Sequence, residues 1–348
     1  MHTPPYHRQI ILQGWSTEIQ ERIQQATVMI IGAGALGSHA GMALCAAGVE
    51  NFILFDGDYL VAHNLHRQFH YTISDCGKNK AELLFEKMKA LNPSVKASVY
   101  TQFWDRTVQL NSLPDLIIDG SDLFETKYEI HAYTNQYHLP WIYASVLGYR
   151  GEIAVFMPGS ACYRCLYSEP PANAESCDVT GVVPMLPAWV AQKQAWEALK
   201  VLGAPGSIMH NQLWQIRLDQ GGERTLYIDK SPNCASECIQ KNIPFSLSEI
   251  PEIDNSQMKI RIRNQDKNWF FFDIRPEASY GNLPEGIEYL DPTTGMEHIQ
   301  KLPEGANIVL ACAKGKNSKQ LAIHYLQKLP HFHFYTLKNG LQLDNPAI

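Results

Sequence analysis

The chain has 348 residues, of which 45% are hydrophobic and 18% charged, the composition of a globular protein rather than a disordered one. A formal net charge of −6 argues against nucleic acid or an anionic membrane as the main partner. MHTPPYHRQI has no apolar core for a signal peptide and no apolar run reaches the ~18 residues of a membrane span, so a cytoplasmic protein is expected.

In chain order, Val28–Ile31 reads as a strand, Gly32-Ala-Gly34-Ala35-Leu-Gly37 as a glycine-rich turn and Ser38–Ala47 as a helix. Phe52–Phe55 is the next strand, Asn79–Leu91 a helix and Val95–Tyr100 a strand, with Leu116–Ile118 and Trp141–Tyr143 as further buried strands. This alternation predicts an α/β fold with a Rossmann-like, doubly wound, mostly parallel sheet. Pro187–Leu202 has helical apolar spacing and Gly203 beyond its end; Leu213–Leu218 and Thr225–Ile228 flank Gln220-Gly221-Gly222 as a hairpin. Residues 239–257, rich in Pro, Ser, Glu and Asn, read as a linker. Beyond them, Phe270–Ile274, Ile308–Ala311 and Phe334–Leu337 read as strands and Ser318–Leu329 as a helix, a second small α/β unit. Single cores stop growing near ~250–300 residues, so the chain divides into a first domain over 1–238 and a second over 258–348.

The strand running into G-x-G-x-x-G at a helix mouth suits a nucleotide: the glycines allow close backbone approach and the helix N-terminus favours a phosphate. Asp56 ends the following strand, where a carboxylate can hold ribose hydroxyls. This much fits a nicotinamide-dependent dehydrogenase or an ATP user. His63-Asn64-Leu-His-Arg67-Gln68 and Gly77-Lys78-Asn79-Lys80 then add more positive charge than hydride transfer needs, whereas stabilising a departing pyrophosphate requires it. Asp122, after the Leu116–Ile118 strand, is a candidate Mg²⁺ ligand opposite those cations.

Taken in order, Tyr6-His-Arg8-Gln9-Ile-Ile-Leu, the Gly32 loop, Asp56-Gly-Asp58, Asn64-Leu-His-Arg67-Gln68, Gly77-x-x-Lys80 and Ser121-Asp122 resemble the ThiF/MoeB/HesA group of ubiquitin-activating-type enzymes, over about residues 5–240. The resemblance implies that ATP sits on Gly32, Gly34, Ala35 and Gly37 with Asp56 and Asp58 beside its ribose. It further implies that Asn64, Arg67 and Lys80 hold phosphates, that Asp122 is the Mg²⁺-side acid, and that Arg8 reaches the partner's site in a homodimer. Two positions depart from the family pattern: Leu123 stands where Asn is usual, and Lys127 where Arg is usual. A contact through the Leu123 backbone survives the first change.

Eight cysteines in a cytosolic chain are expected to be metal ligands or reactive thiols rather than disulfides. Cys162-Tyr-Arg-Cys165 and Cys234-Ala-Ser-Glu-Cys238 form two clustered pairs, the signature of a closed Cys₄ structural Zn²⁺ site. Cys177 lies in a polar loop before Gly181-Val-Val-Pro184, where the family places a reactive thiol on its crossover loop. In the second unit, Ile308-Val-Leu-Ala-Cys312-Ala-Lys314-Gly315-Lys316-Asn317-Ser318 is a strand, a loop and a helix start, a setting that lowers a thiol pKa and suits a persulfide. With Phe272-Asp273-Ile274-Arg275 upstream and Tyr335-x-Leu337-x-x-Gly340 downstream, this unit resembles a rhodanese domain.

The resemblances together imply adenylation of the C-terminal Gly-Gly carboxylate of a ubiquitin-like sulfur carrier, then sulfur delivery from Cys312, for thiamine or molybdopterin synthesis. A sulfur donor such as a cysteine desulfurase is then an expected partner. Rival readings are a nicotinamide-dependent dehydrogenase, a non-catalytic carrier-binding scaffold, and a ligase-like relative that modifies a peptide or a tRNA base.

Overall fold

Thr27–Ile31 (β1) is an apolar, β-branched run with four of its five residues buried, as expected of a strand covered on both faces. It follows two short helices, α1 (His7–Ile10) and α2 (Thr17–Gln25). The computed structural model describes residues 5–168, 181–234, 238, 250–275, 283–291 and 295–312, and beyond these 318–319, 321–322, 325–326, 329–338 and 340–341. The described residues separate into two compact units, one over 5–168, 181–234 and 238 and the other over those from 250 onward.

In the first unit β1 lies within an eight-stranded sheet. From one edge the order is Lys96–Tyr100 (β3), Asn51–Phe55 (β2), β1, Leu116–Asp119 (β4), Trp141–Leu147 (β5), Arg150–Phe156 (β6), Gln212–Arg217 (β7) and Gly222–Tyr227 (β8). Strands β1 to β5 are parallel, whereas β6, β7 and β8 continue the sheet antiparallel. Parallel neighbours need crossovers, supplied here by α3 (Ala35–Ala46), α4 (Lys80–Leu91) and α5 (Phe124–Tyr137). The described residues of the unit also include α6 (Tyr163–Leu166) and α7 (Met185–Val201), and α7 packs on α3. β1 pairs with β2 on one side and β4 on the other, Val28 facing both Phe52 and Leu116, so a crevice opens beyond the carboxyl ends of β1 and β4.

The second unit is a five-stranded parallel sheet ordered Glu288–Tyr289 (β11), Trp269–Asp273 (β10), Asn307–Ala311 (β12), His333–Leu337 (β13) and Glu252–Ile253 (β9). Successive side chains bury on opposite faces: Phe272 and Leu310 pack with Tyr325 on one, Phe271 and Val309 with Met258 on the other. Met258 belongs to α8 (Asn255–Arg263), and α9 (Gly295–Ile299) precedes β12. Ser318, Lys319, Leu321, Ala322, Tyr325 and Leu326 are helical within the helix expected there.

The stretch read as a linker up to residue 257 needs correction at its end. β9 pairs with β13, and Asp254 caps α8 by accepting the Gln257 N–H at 2.7 Å, so 252–257 belong to the second unit's sheet and helix.

Candidate functional site

The glycine-rich turn joins β1 to α3. Gly32 has φ 90°, a left-handed value that favours glycine, and its N–H is donated to Phe55 O of β2 at 2.8 Å. A Cβ on Gly37 would overlap the Gly32 carbonyl oxygen, so the helix mouth can close on the turn only with glycine there. Gly34 is the N-cap residue and Ala35 the first residue of α3, which places their backbone where an anion is favoured.

Asp56, directly after β2, organises this turn. Its Oδ2 accepts the Ala33 N–H at 2.7 Å, and its Oδ1 accepts the Asp58 N–H at 2.7 Å. Asn79 caps α4 by accepting the Ala81 and Glu82 N–H groups, while its amide donates to Asp56 O at 2.9 Å and Asp58 O at 3.2 Å. The next residue, Lys80, is buried, and its ammonium lies 2.9 Å from Asp58 Oδ2. Asn64 is buried too, its Oδ1 accepting the Val61 N–H at 3.3 Å. Arg67 is half-buried and donates to His63 O at 3.2 Å and to His66 Nε2 at 2.8 Å. Burial and the adjacent Arg67 both push the His66 pKa below the ordinary imidazole value.

On the far side of β1, the loop after β4 completes the crevice. Gly120 donates its N–H to Ile31 O at 2.8 Å, and a Cβ on Gly32 would come within 2.7 Å of Gly120 O. The strand ends at Asp119 rather than Ile118, and this fully buried acid was not singled out in the sequence. Asp122 stands three residues beyond it, exposed in the loop. Leu123 is the N-cap residue of α5 with its side chain buried, so its backbone alone is available toward the crevice.

The crevice thus brings together the Gly32–Gly37 turn, Asp56, Asp58, Lys80 and the loop bearing Asp122. It does not gather Arg8 of the same chain. Gln9, next to Arg8, donates to Ala47 O at 2.9 Å, at the opposite end of α3 from the glycine turn, and α3 is about 18 Å long at 1.5 Å per residue. Arg8 itself is exposed.

The four cysteines of the two pairs do meet. Their sulfur atoms all lie within 4.8 Å of one another, with Cys162–Cys165 at 3.7 Å, Cys165–Cys234 at 3.6 Å and Cys162–Cys234 at 3.5 Å. These separations rule out a disulfide and approach the roughly 3.8 Å edge of a tetrahedron of thiolates about 2.3 Å from zinc. The extra residue in the second pair therefore does not prevent closure. Burial pushes the Cys162 and Cys234 thiols up, and the Cys238 thiol to about 11. At Cys165 burial is outweighed by hydrogen bonds, including the Ser231 N–H at 3.4 Å, which hold its pKa below the ordinary value.

In the second unit Cys312 follows β12 and is buried; its Sγ accepts the Ser318 N–H at 3.4 Å, across the base of its loop. Asp273, at the end of neighbouring β10, is fully buried and held by Arg275 through Nε at 2.9 Å and Nη2 at 2.6 Å. Cys177, Lys314, Lys316 and Asn317 lie outside the described residues.

The model of the ThiF family matches residues 6–236, about two thirds of the chain. The chain belongs to the ThiF family. Among curated proteins, it is 35% identical over 242 residues to a sulfur carrier protein adenylyltransferase of Thermus thermophilus, covering 66% of this chain and 88% of the relative. It is 27% identical over 369 residues to the adenylyltransferase and sulfurtransferase MOCS3 of Drosophila virilis, covering 97% of this chain and 82% of that one. Among solved structures, E. coli MccB with ATP superposes at a TM-score of 0.59 and 22% identity, over 68% of this chain and 75% of that one, a likeness of fold. No described helix is long and apolar enough to cross a membrane.

Proposed function

We propose that this ThiF-family chain adenylates the C-terminal Gly-Gly carboxylate of a ubiquitin-like sulfur carrier and then supplies the sulfur that makes it a thiocarboxylate. The observation that carries this reading is the likeness to a two-activity enzyme over 97% of the chain, both units included. The dehydrogenase and scaffold readings have no such support.

In the first stage, a carboxylate oxygen of the tail attacks the α-phosphorus of ATP. The bond to the β-phosphate bridging oxygen breaks, giving an acyl-adenylate and pyrophosphate. The backbone of Gly32, Gly34, Ala35 and Gly37 cradles the nucleotide, and Asp56 with Asp58 faces the ribose. Arg67 and Lys80 offset the charge that accumulates on the departing pyrophosphate, Asn64 helps hold the phosphates as a neutral amide, and the Leu123 backbone borders the base. Asp122 is the residue that would hold Mg²⁺, which would neutralise phosphate charge. The role assigned to Arg8 requires a homodimer in which it enters the partner's crevice. Ile11 and Leu12 beside it are 65% and 55% exposed, an apolar surface that a second copy would cover.

Cys162, Cys165, Cys234 and Cys238 would hold a structural Zn²⁺, a closed site that fixes two distant segments and leaves no open position for chemistry. In the second unit, read as rhodanese-like, Cys312 would carry a persulfide loaded by a sulfur donor such as a cysteine desulfurase. Its terminal sulfur attacks the acyl carbon and AMP leaves. Release of the thiocarboxylate from the resulting acyl persulfide needs a second thiol, the role proposed for Cys177, with electrons drawn finally from a thiol reductant. Tethering both stages on one chain raises their effective concentration.

Replacing Cys312 by Ala tests the division of labour. Thiocarboxylate formation, read by mass spectrometry of the carrier, is expected to vanish while carrier-dependent ATP–pyrophosphate exchange persists. Loss of both would contradict the two-stage reading.

A further inference from the structure

Asp119 is held through both carboxylate oxygens and its backbone oxygen at the end of β4. Its Oδ1 accepts the Ser121 N–H at 2.9 Å and the Ser121 hydroxyl at 2.6 Å, and its Oδ2 lies 2.7 Å from Lys127 Nζ. Its backbone oxygen accepts from Gln194 Nε2 of α7 at 2.8 Å. Lys127 has three protons and three acceptors: Asp119 Oδ2, Ser121 O at 3.0 Å and Ala144 O at 3.1 Å. Its ammonium also lies 4.9 Å from the centre of the Tyr143 ring. Gln194 donates a second time, to Ile142 O of β5 at 2.8 Å. The side chains of Lys127 and Asp119 are 3% and 0% exposed, and Gln194 is fully buried as well.

These bonds converge on a short target, the Gly120–Asp122 loop, which has no slack on its other side. A Cβ on Gly120 would overlap the Gly32 carbonyl oxygen, so the loop cannot move toward the glycine turn without displacing it. Stability alone does not favour such an arrangement: well-packed apolar residues in place of a buried ion pair are often neutral or stabilising. What the polar version adds is a fixed geometry, with both Ser121 backbone groups tied to side chains that cannot swing into water.

We propose that Asp119, Lys127 and Gln194 are positioning residues for adenylation. They hold the Ser121–Asp122 loop against the glycine turn, and they connect it to α7, the helix that follows Gly181-Val-Val-Pro184. This rests on the proposed placement of ATP in the crevice.

The test is carrier-dependent ATP–pyrophosphate exchange by the full-length chain, with Mg·ATP varied, alongside thermal unfolding. The double variant Asp119→Asn/Lys127→Met keeps shape and removes both charges. It is expected to fold, to raise KM for Mg·ATP less than about threefold and to lower kcat about 30- to 100-fold, the scale of a small misplacement. Adding Asp122→Asn to it should cost less than about threefold more, because both act through one loop. A folded double variant with unchanged kcat overturns the proposal, as does a full additive loss on adding Asp122→Asn. If the double variant does not fold, Gln194→Met decides: kcat at least about fivefold lower with KM within about twofold supports it, and unchanged kcat overturns it. Absence of exchange in the unsubstituted chain would instead sink the adenylation reading itself, and this proposal with it.

Discussion

Lys80 Nζ lies 2.9 Å from Asp58 Oδ2, with the two side chains 6% and 15% exposed, so the cation assigned to phosphate is already fixed by an acid just beyond Asp56. The same acid's backbone oxygen accepts the Lys80 N–H at 2.9 Å, which ties the start of α4 to the end of β2. An ammonium held this way meets an incoming phosphate without reorganisation.

Replacing Lys80 by Met is therefore expected to lower kcat/KM for pyrophosphate exchange by about 10²- to 10³-fold. Lys80→Arg should recover little of this, because a planar fork does not fit a buried site made for a point charge. Steady-state exchange kinetics of the two variants, beside that of the unsubstituted chain, checks this.

Gly120→Ala should be damaging although Gly120 was absent from the sequence-derived site. Its Cβ would overlap the Gly32 carbonyl, and neither loop can retreat while Gly120 N–H is bonded to Ile31 O and Gly32 N–H to Phe55 O. Nucleotide affinity, measured by calorimetric titration with ATP, is expected to fall by at least about tenfold, about 1.4 kcal/mol. Unchanged affinity would mean that the nucleotide does not depend on this contact.

The reasons Gly120 and Asp119 escaped the sequence lie in distance along the chain. The glycine turn and Asp56 announce themselves because strand, turn and helix are contiguous, and the short apolar strands are legible for the same reason. Asp119 is bonded locally by Ser121 and Lys127, but its tie to α7 comes through Gln194, 75 residues away. α5 hides its role as well: Lys127, Glu129 and His131 are buried beside Tyr128 and Ile130, so no apolar stripe marks its inner face. β9 has two residues, too few for any alternation, and its partner β13 lies some eighty positions later, so this stretch read as a linker. The cysteine pairs were legible because ligand chemistry demands clustered thiols, and the fold brings their sulfurs together.

The cysteine cluster predicts about one zinc per chain by elemental analysis. Cys238→Ser should lower both zinc content and melting temperature, and Co²⁺ in place of zinc should give the absorption of a tetrahedral thiolate site. A metal-free chain with the melting temperature of the zinc-loaded one would contradict a structural site.

Buried histidines set an acid limit on stability. Burial lowers the pKa of His70 and of His131 to about 3, with neighbouring cations adding to the effect, and burial lowers that of His39 as well. Each is neutral in the folded chain yet protonates near 6.5 once unfolded, so the unfolded state binds the extra proton as pH falls. The histidine contribution should be constant above about pH 7 and decline from about pH 6.5 toward about pH 3. At pH 5 His131 alone would account for about 2 kcal/mol. His131→Gln should flatten the decline in calorimetric scans taken between these limits, and an undiminished slope would remove His131 as a cause.

The most direct measurement of the central claim is pyrophosphate exchange into ATP in the presence of a purified ubiquitin-like carrier. The account predicts exchange that depends on Mg²⁺, requires the terminal Gly-Gly of the carrier and is lost when that tail is truncated. Exchange that proceeds equally without any carrier, or that fails with every Gly-Gly carrier supplied, would contradict it.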